Sequence, residues 1–185
     1  MHNFTVLLNN LDRNILNNIQ QYLKNPFLDN IMPFITALGD AGIIWILISI
    51  ILISTKKYRK AGIVCALSLA INAVLGEVVI KNVIQRARPF IHDPSLDLLI
   101  AKPKTFSFPS GHTASSFAAA AALSVYLKRY SIIFWVLAVL IAFSRLYLYV
   151  HFPSDVAGGI LLGLISFKLA DWTYKKFIKK RSDDI

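Results

Sequence analysis

Five stretches of this sequence are long, apolar and nearly free of charge, and they limit what the chain can become. They are Ala41–Ser54, Ala61–Ile80, Thr113–Leu127, Ser131–Phe143 continuing through Arg145 to Tyr149, and Val156–Ala170. A helix that crosses a bilayer takes about 20 apolar residues, and shorter ones are tolerated where flanking side chains snorkel to the interface. An apolar fraction of 56% over 185 residues exceeds what an ordinary soluble domain carries. The pattern predicts an all-α integral membrane bundle of about five transmembrane helices.

The charges fall where such a bundle needs them. The net charge is +10, and the basic residues cluster between the apolar stretches: Lys56, Lys57, Arg59 and Lys60; Lys128 and Arg129; Lys175, Lys176, Lys179, Lys180 and Arg181. These clusters occupy alternate connections and so lie on one side of the membrane, the cytoplasmic side by the positive-inside rule. The C-terminus is then cytoplasmic, and the N-terminal segment and the other two connections face outward. Cations distributed in this way do not make a nucleic-acid surface, and no nucleic-acid partner is expected.

Ahead of the first span, Leu7, Leu8, Leu11, Ile15, Ile19, Tyr22 and Leu23 recur at helical spacing among Asn, Gln and Asp. That spacing predicts an amphipathic helix lying at the membrane interface, ended by Asn25-Pro26. The apolar piece Pro26–Leu38 is too short to cross and reads as interfacial or re-entrant. The chain thus divides into an interfacial segment, residues 1–40, and a membrane-embedded domain, residues 41–180. The polar tail Arg181–Ile185 is expected to fray. Cys65, the only thiol, lies mid-span and reads as a space-filler, with no disulfide possible within the chain.

The outward connections carry the chemistry. One runs from about Gln85 to Pro109, a length uncommon without a functional reason; the other, Tyr149 to Asp155, is short. Lys81 at the outer end of the second span precedes Arg88 by seven residues, two helical turns if the helix continues, so that both would project from one face. Lysine supplies a point charge and arginine a planar fork suited to phosphate oxygens. Pro109-Ser110-Gly111-His112 opens the alanine-rich stretch: Ser110 suits an N-cap, Gly111 admits a ligand close to the backbone, and a helix N-terminus favours anions. Ser144-Arg145 and His151-x3-Asp155 complete the set. Arg145 is an ionisable group within an apolar span, and a carboxylate beside an imidazole fixes its tautomer and raises the nucleophilicity of the far nitrogen. Taken singly, each cluster also fits snorkelling cations or a plain helix start. Together they gather three cations, two histidines, a carboxylate and a helix N-terminus at one surface, a site for a tetrahedral oxyanion. Glu77 reads as a partner for a nearby cation, His92 as a loop residue near the mouth, and Trp45, Trp135 and Trp172 as interfacial or packing residues.

Lys-x6-Arg-Pro, then Pro-Ser-Gly-His, then Ser-Arg-x5-His-x3-Asp resembles the three-part signature of the type 2 phosphatidic acid phosphatase superfamily, which includes membrane lipid phosphatases, bacterial acid phosphatases and vanadium haloperoxidases. Every signature position is present, from Lys81 to Asp155. The resemblance implies His151 as nucleophile through a phosphohistidine, Asp155 as its orienting partner and His112 as general acid. It implies Lys81, Arg88, Arg145, Ser110 and the Gly111 backbone as the phosphate cradle, with no metal and no cofactor. The expected activity is hydrolysis of a terminal phosphate from a lipid phosphate or diphosphate at the outer leaflet, with membrane lipids as surroundings.

Undecaprenyl diphosphate is the first choice of substrate, because Arg86, Lys102 and Lys104 add charge to the outer loop and a second anionic group would match them. Phosphatidylglycerol phosphate, lipid A 1-phosphate and phosphatidic acid are alternatives. A haloperoxidase is disfavoured by the short, membrane-embedded chain. An anion transporter is a different class, but it would spread its cations along a pore.

Overall fold

The computed structural model describes residues 2–93 and 96–179; Pro94, Lys180 and the tail 181–185 lie outside them. The described residues are helical with no strand. Eight α-helices follow in order: α1 His2–Tyr22, α2 Pro26–Leu38, α3 Ile43–Ser54, α4 Arg59–Asn72, α5 Lys81–Ile84, α6 Gly111–Tyr126, α7 Ser131–Tyr147 and α8 Pro153–Thr173. A π-helical stretch, Ala73–Ile80, joins α4 to α5, and α8 runs into a second one, Tyr174–Lys179.

The centre of the bundle is α6, which packs against α8, α7 and α4. Its residues from Thr113 to Leu123 are all buried, which explains the alanines: small side chains let three helices close on one. The approach is tightest on α8. A Cβ at Gly163 would fall 2.5 Å from the Ala114 carbonyl oxygen, and one at Gly159 would fall 2.8 Å from that of Ser110. Glycines four residues apart bring two backbones together where apolar lipid gives helices no hydrophobic drive to associate.

Three described helical runs are long and apolar enough to cross a membrane: Arg59–Ile91, Lys128–Tyr147 and Pro153–Phe177. The pair Pro26–Leu38 and Asp40–Ser54, bent by 44°, meets the same measure only when its two helices are taken together. The first apolar stretch, α3, is only 12 residues, about 18 Å of helix, and reaches the length of a span only together with the preceding segment. The third stretch, α6, is 16 residues, about 24 Å of helix, and is enclosed by its neighbours. The break lies at Gly39–Gly42, where Ala41 and Gly42 take left-handed backbone, φ 49° and 70°.

The N-terminal segment is helical as its periodicity predicts, and Asn25 ends the turn after α1 by capping α2, its Oδ1 accepting from Leu28 N at 3.0 Å. Beyond that, α1 docks on α7 and α8, burying Leu16, Ile19 and Asp12 while Leu7, Leu8, Leu11 and Ile15 stay exposed. Cys65 is buried and free. Trp45 is a core residue whose Nε1–H donates to Ser116 Oγ at 3.0 Å, and Trp135 packs edge-on against Phe117; Trp172 stays exposed.

Candidate active site

Six of the expected residues line one cavity of about 1000 Å³: Lys81, Arg88, Gly111, His112, Arg145 and His151. They arrive from separate elements. The helix carrying Lys81 stops at Ile84, and Gln85 turns the chain with a left-handed φ of 48°. Arg88 is therefore not two turns along the same helix, as its spacing suggests. It follows on extended backbone and is clamped by carbonyls: Nε donates to Thr105 O at 2.8 Å, Nη1 to Val150 O at 2.8 Å and Nη2 to Phe106 O at 3.2 Å.

The two histidines present opposite chemistry to the cavity. His151 is 1% exposed. Its Nε2 lies 3.1 Å from Arg88 Nη1; a guanidinium only donates, so Nε2 holds the lone pair and the ring proton sits on Nδ1. That nitrogen faces Asp155 Oδ2 at 3.5 Å, longer than a formed hydrogen bond, a spacing that catalytic pairs often show before substrate binds. Asp155 is held from all round: Oδ2 accepts from Ser107 Oγ and, at 2.8 Å, from Phe152 N, and Oδ1 accepts from Arg86 Nη1 at 2.7 Å. Burial, reinforced by Arg88 and Arg145 and opposed by the nearby Asp155 carboxylate, pushes the His151 imidazole down to about 3, so the ring is neutral.

His112 Nε2 lies 2.8 Å from Asp40 Oδ1, and Arg145 Nη1 stands farther away at 3.5 Å. A carboxylate only accepts, so here Nε2 carries the proton. Asp40, at the break between α2 and α3, was not among the sequence candidates, nor were Thr36, Thr105 and Ser107.

Arg145 is 3% exposed. Its Nη1 donates to Thr36 Oγ1 at 2.5 Å, while its Nε has no partner among the described residues. Neither Arg88 nor Arg145 has a carboxylate within 4 Å among the described residues, whereas Lys81 pairs with Glu77 at 2.8 Å, as expected for Glu77. A Cβ at Gly111 would collide with that same Glu77 carboxylate. An acidic group thus already rests against Lys81 and the start of α6.

Ser110 is placed differently. It occupies the N-cap position without a side-chain cap and is buried beneath the site, its Oγ accepting from Thr113 Oγ1 at 3.0 Å and its N–H donating to Asp155 O at 3.1 Å. Of the loop cations, Lys102 lines the cavity and Lys104 does not. Arg86 is taken up in ion pairs with Asp12 and Asp155, both at 2.7 Å. His92 lines a separate small recess with Asn9, Arg13 and Phe152. No group of three or more His, Cys, Asp or Glu side chains is placed to share an ion among the described residues.

Away from the charged end, the cavity continues between α3 and α4 along Ile46, Ile50, Ile53, Leu69 and Ala70. One end gathers the charged groups, and the other is lined mainly by hydrocarbon side chains.

The family model described as PAP2 superfamily matches residues 60–179. The chain belongs to the PAP2 superfamily. It is 37% identical over 137 residues to "Undecaprenyl-diphosphatase" from Sulfolobus acidocaldarius, covering 74% of this chain and 66% of that protein. It is 34% identical over 178 residues to "Phosphatidylglycerophosphatase B" from Bacillus subtilis, covering 85% and 82%. A transmembrane PAP2 type phosphatidylglycerolphosphate phosphatase from B. subtilis superposes with a TM-score of 0.73 at 30% identity, over 92% of this chain and 88% of that one. Aquifex aeolicus LpxE superposes at 0.74 and 29%, over 86% and 94%. The helical membrane architecture and the lipid phosphatase class expected of this PAP2 chain are borne out.

Proposed function

We propose that this PAP2 phosphatase removes the terminal phosphate of a lipid diphosphate through a phosphohistidine on His151, with undecaprenyl diphosphate as the first choice of substrate. The observation that carries this reading is two buried guanidiniums, Arg88 and Arg145, without a carboxylate partner among the described residues, the first of them 3.1 Å from the His151 Nε2 lone pair. Their missing counter-charge is the substrate's.

His151 Nε2 forms a bond to phosphorus as the bond from phosphorus to the leaving oxygen breaks. Arg88, Arg145, Lys81 and the Gly111 backbone neutralise the equatorial oxygens. His112, charged beside the bound anion and Asp40, gives its Nε2 proton to the departing oxygen. Water then attacks phosphorus, the N–P bond breaks, and His112 takes the water's proton. The cradle's charge comes from side chains, and turnover is proposed to run without a metal ion, so activity is expected to persist in excess chelator. The groove of Ile46, Ile50 and Ile53 takes the hydrocarbon tail.

The substrate choice is supported by Lys102 at the cavity and by undecaprenyl-diphosphatases among the relatives. Phosphatidylglycerol phosphate, lipid A 1-phosphate and phosphatidic acid are the competitors. The test is kcat/KM on those four lipids with Lys102→Gln and Lys104→Gln made separately. Lys102→Gln should depress the diphosphate more than phosphatidic acid, and Lys104→Gln should spare both. Equal losses on both lipids with Lys102→Gln would remove the preference for a second phosphate.

The active site is proposed to face outward and the C-terminus inward. In a Cys65→Ala background, cysteines at Lys57 or Arg129 should react with impermeant reagents only from the cytoplasmic side, and one at exposed Leu99 only from outside.

A further inference from the structure

Behind the His151–Asp155 pair, a chain of charge made of two buried carboxylates and the half-buried Arg86 reaches the N-terminal helix. Arg86 Nη1 donates to Asp155 Oδ1, and its other terminal nitrogen donates to Asp12 Oδ2, both at 2.7 Å. Asp12 is 2% exposed and accepts as well from Ser154 N at 2.9 Å and Ser154 Oγ at 2.5 Å. Ser154 Oγ in turn accepts from Arg86 Nη1 at 2.6 Å, and the guanidinium lies 4.2 Å from the centre of the Phe152 ring. Arg86 is thus gripped on both edges of its fork and on one face.

That grip has a consequence for the dyad. Arg86 leaves the backbone just after the left-handed turn at Gln85, on no helix; its carbonyl accepts from Ser107 N at 2.8 Å, and its side-chain contacts aim the fork. Held only by Asp155, the fork could pivot and draw the carboxylate off the axis of His151 Nδ1. It would also spend its whole charge on Asp155, making that carboxylate a poorer acceptor for the ring proton. With Asp12 on the opposite edge, orientation is fixed and the charge is shared.

We infer that Asp12 is a positioning residue: by docking α1 on Arg86 it sets Asp155, and through Asp155 the nucleophilicity of His151. The N-terminal helix is then part of the machinery and not only a membrane float. The inference rests on the roles proposed above for His151 and Asp155.

Rapid-quench measurements on the purified full chain with radiolabelled phosphatidic acid separate positioning from folding. The amount of phosphohistidine formed per chain counts intact sites, and its rate of formation reads the dyad. Asp12→Asn keeps the shape and removes the charge, and should slow formation roughly tenfold at full amplitude, the scale of a lost charge-assisted hydrogen bond. Arg86→Gln should do the same, and the double variant should be no slower than the slower single one, because both break one chain. Leu16→Ala, also buried on α1 but outside the network, should lower amplitude and leave the rate alone.

Rates for Asp12→Asn and Arg86→Gln within twofold of the parent, with Asp155→Asn strongly slowed, would overturn the role of α1 alone. A rate untouched by Asp155→Asn would instead remove the dyad on which the inference stands. An equal rate loss in Leu16→Ala would reduce Asp12 to a structural clamp.

Discussion

The two walls of the cavity hold the same pair of side chains, a histidine and a carboxylate, and treat them in opposite ways. On one wall His151 and Asp155 are both buried, and Asp155 is backed by Ser107, Arg86 and, through Arg86, Asp12. On the other, His112 meets Asp40, which is 61% exposed and lies at a break between helices. A nucleophile must stay neutral, keep one tautomer and point along one line, so rigid burial suits it. A proton donor must change charge twice in each turnover, so a wetter wall suits it. The contrast fits the roles proposed for the two histidines.

The comparison breaks first at His151. His151→Ala should lower turnover by about 10⁴-fold or more and leave no phosphohistidine to trap, as with other covalent nucleophiles. Phosphate release from both lipid and aryl phosphates checks it; residual activity on either above a hundredth of the parent would place the nucleophile elsewhere.

Asp155→Asn comes next, with a loss of about 10³- to 10⁴-fold. Asparagine can donate to Nδ1 and so favours the wrong tautomer. Nitrogen-15 histidine spectra should show the ring proton moving from Nδ1 to Nε2, and a turnover loss without that move would argue against tautomer control.

On the other wall, His112→Ala should cost about 10²- to 10⁴-fold on a lipid phosphate. It should cost much less on an aryl phosphate, whose leaving group departs unprotonated. Equal losses on both would deny His112 the role of acid.

How much of this was legible in the sequence follows the same division. The apolar stretches announced the bundle, because helix burial in lipid is written in runs of adjacent residues. His151 and Asp155, four apart, and Pro109 to His112 were readable because one short segment carries the pair or the turn. Asp12, Thr36 and Asp40 were not. Each reaches its partner across 70 or more positions, Asp12 to Arg86, Thr36 to Arg145 and Asp40 to His112, and no local spacing encodes such a meeting. Arg86 was visible, yet a cation in a loop looks the same in sequence whether it faces substrate or a buried carboxylate. Ser110 reads as a ligand from its motif position, but its hydroxyl is fully buried and taken up by Thr113. The alanines of α6 gave a span by composition, though their smallness serves helix contact at the centre of the bundle.

The smallest effect should come from Asp40→Asn, and it tests the contrast most finely. Asp40 and Asp155 both stand beside a histidine proposed to be catalytic, so counting carboxylates alone would predict equal losses. Exposure predicts otherwise. Water screens a carboxylate that is 61% exposed, and an exposed ion pair is worth about 1 kcal/mol or less, which is a factor of about five or less in rate. The loss should appear on lipid phosphates, where His112 must give up its proton, and vanish on aryl phosphates. It should also grow toward alkaline pH, since removing the carboxylate lets His112 lose its charge sooner. A hundredfold loss would show that Asp40 grips its histidine as firmly as Asp155 does. The two walls would then be equivalent, and the division between a frozen nucleophile and a responsive acid would fall.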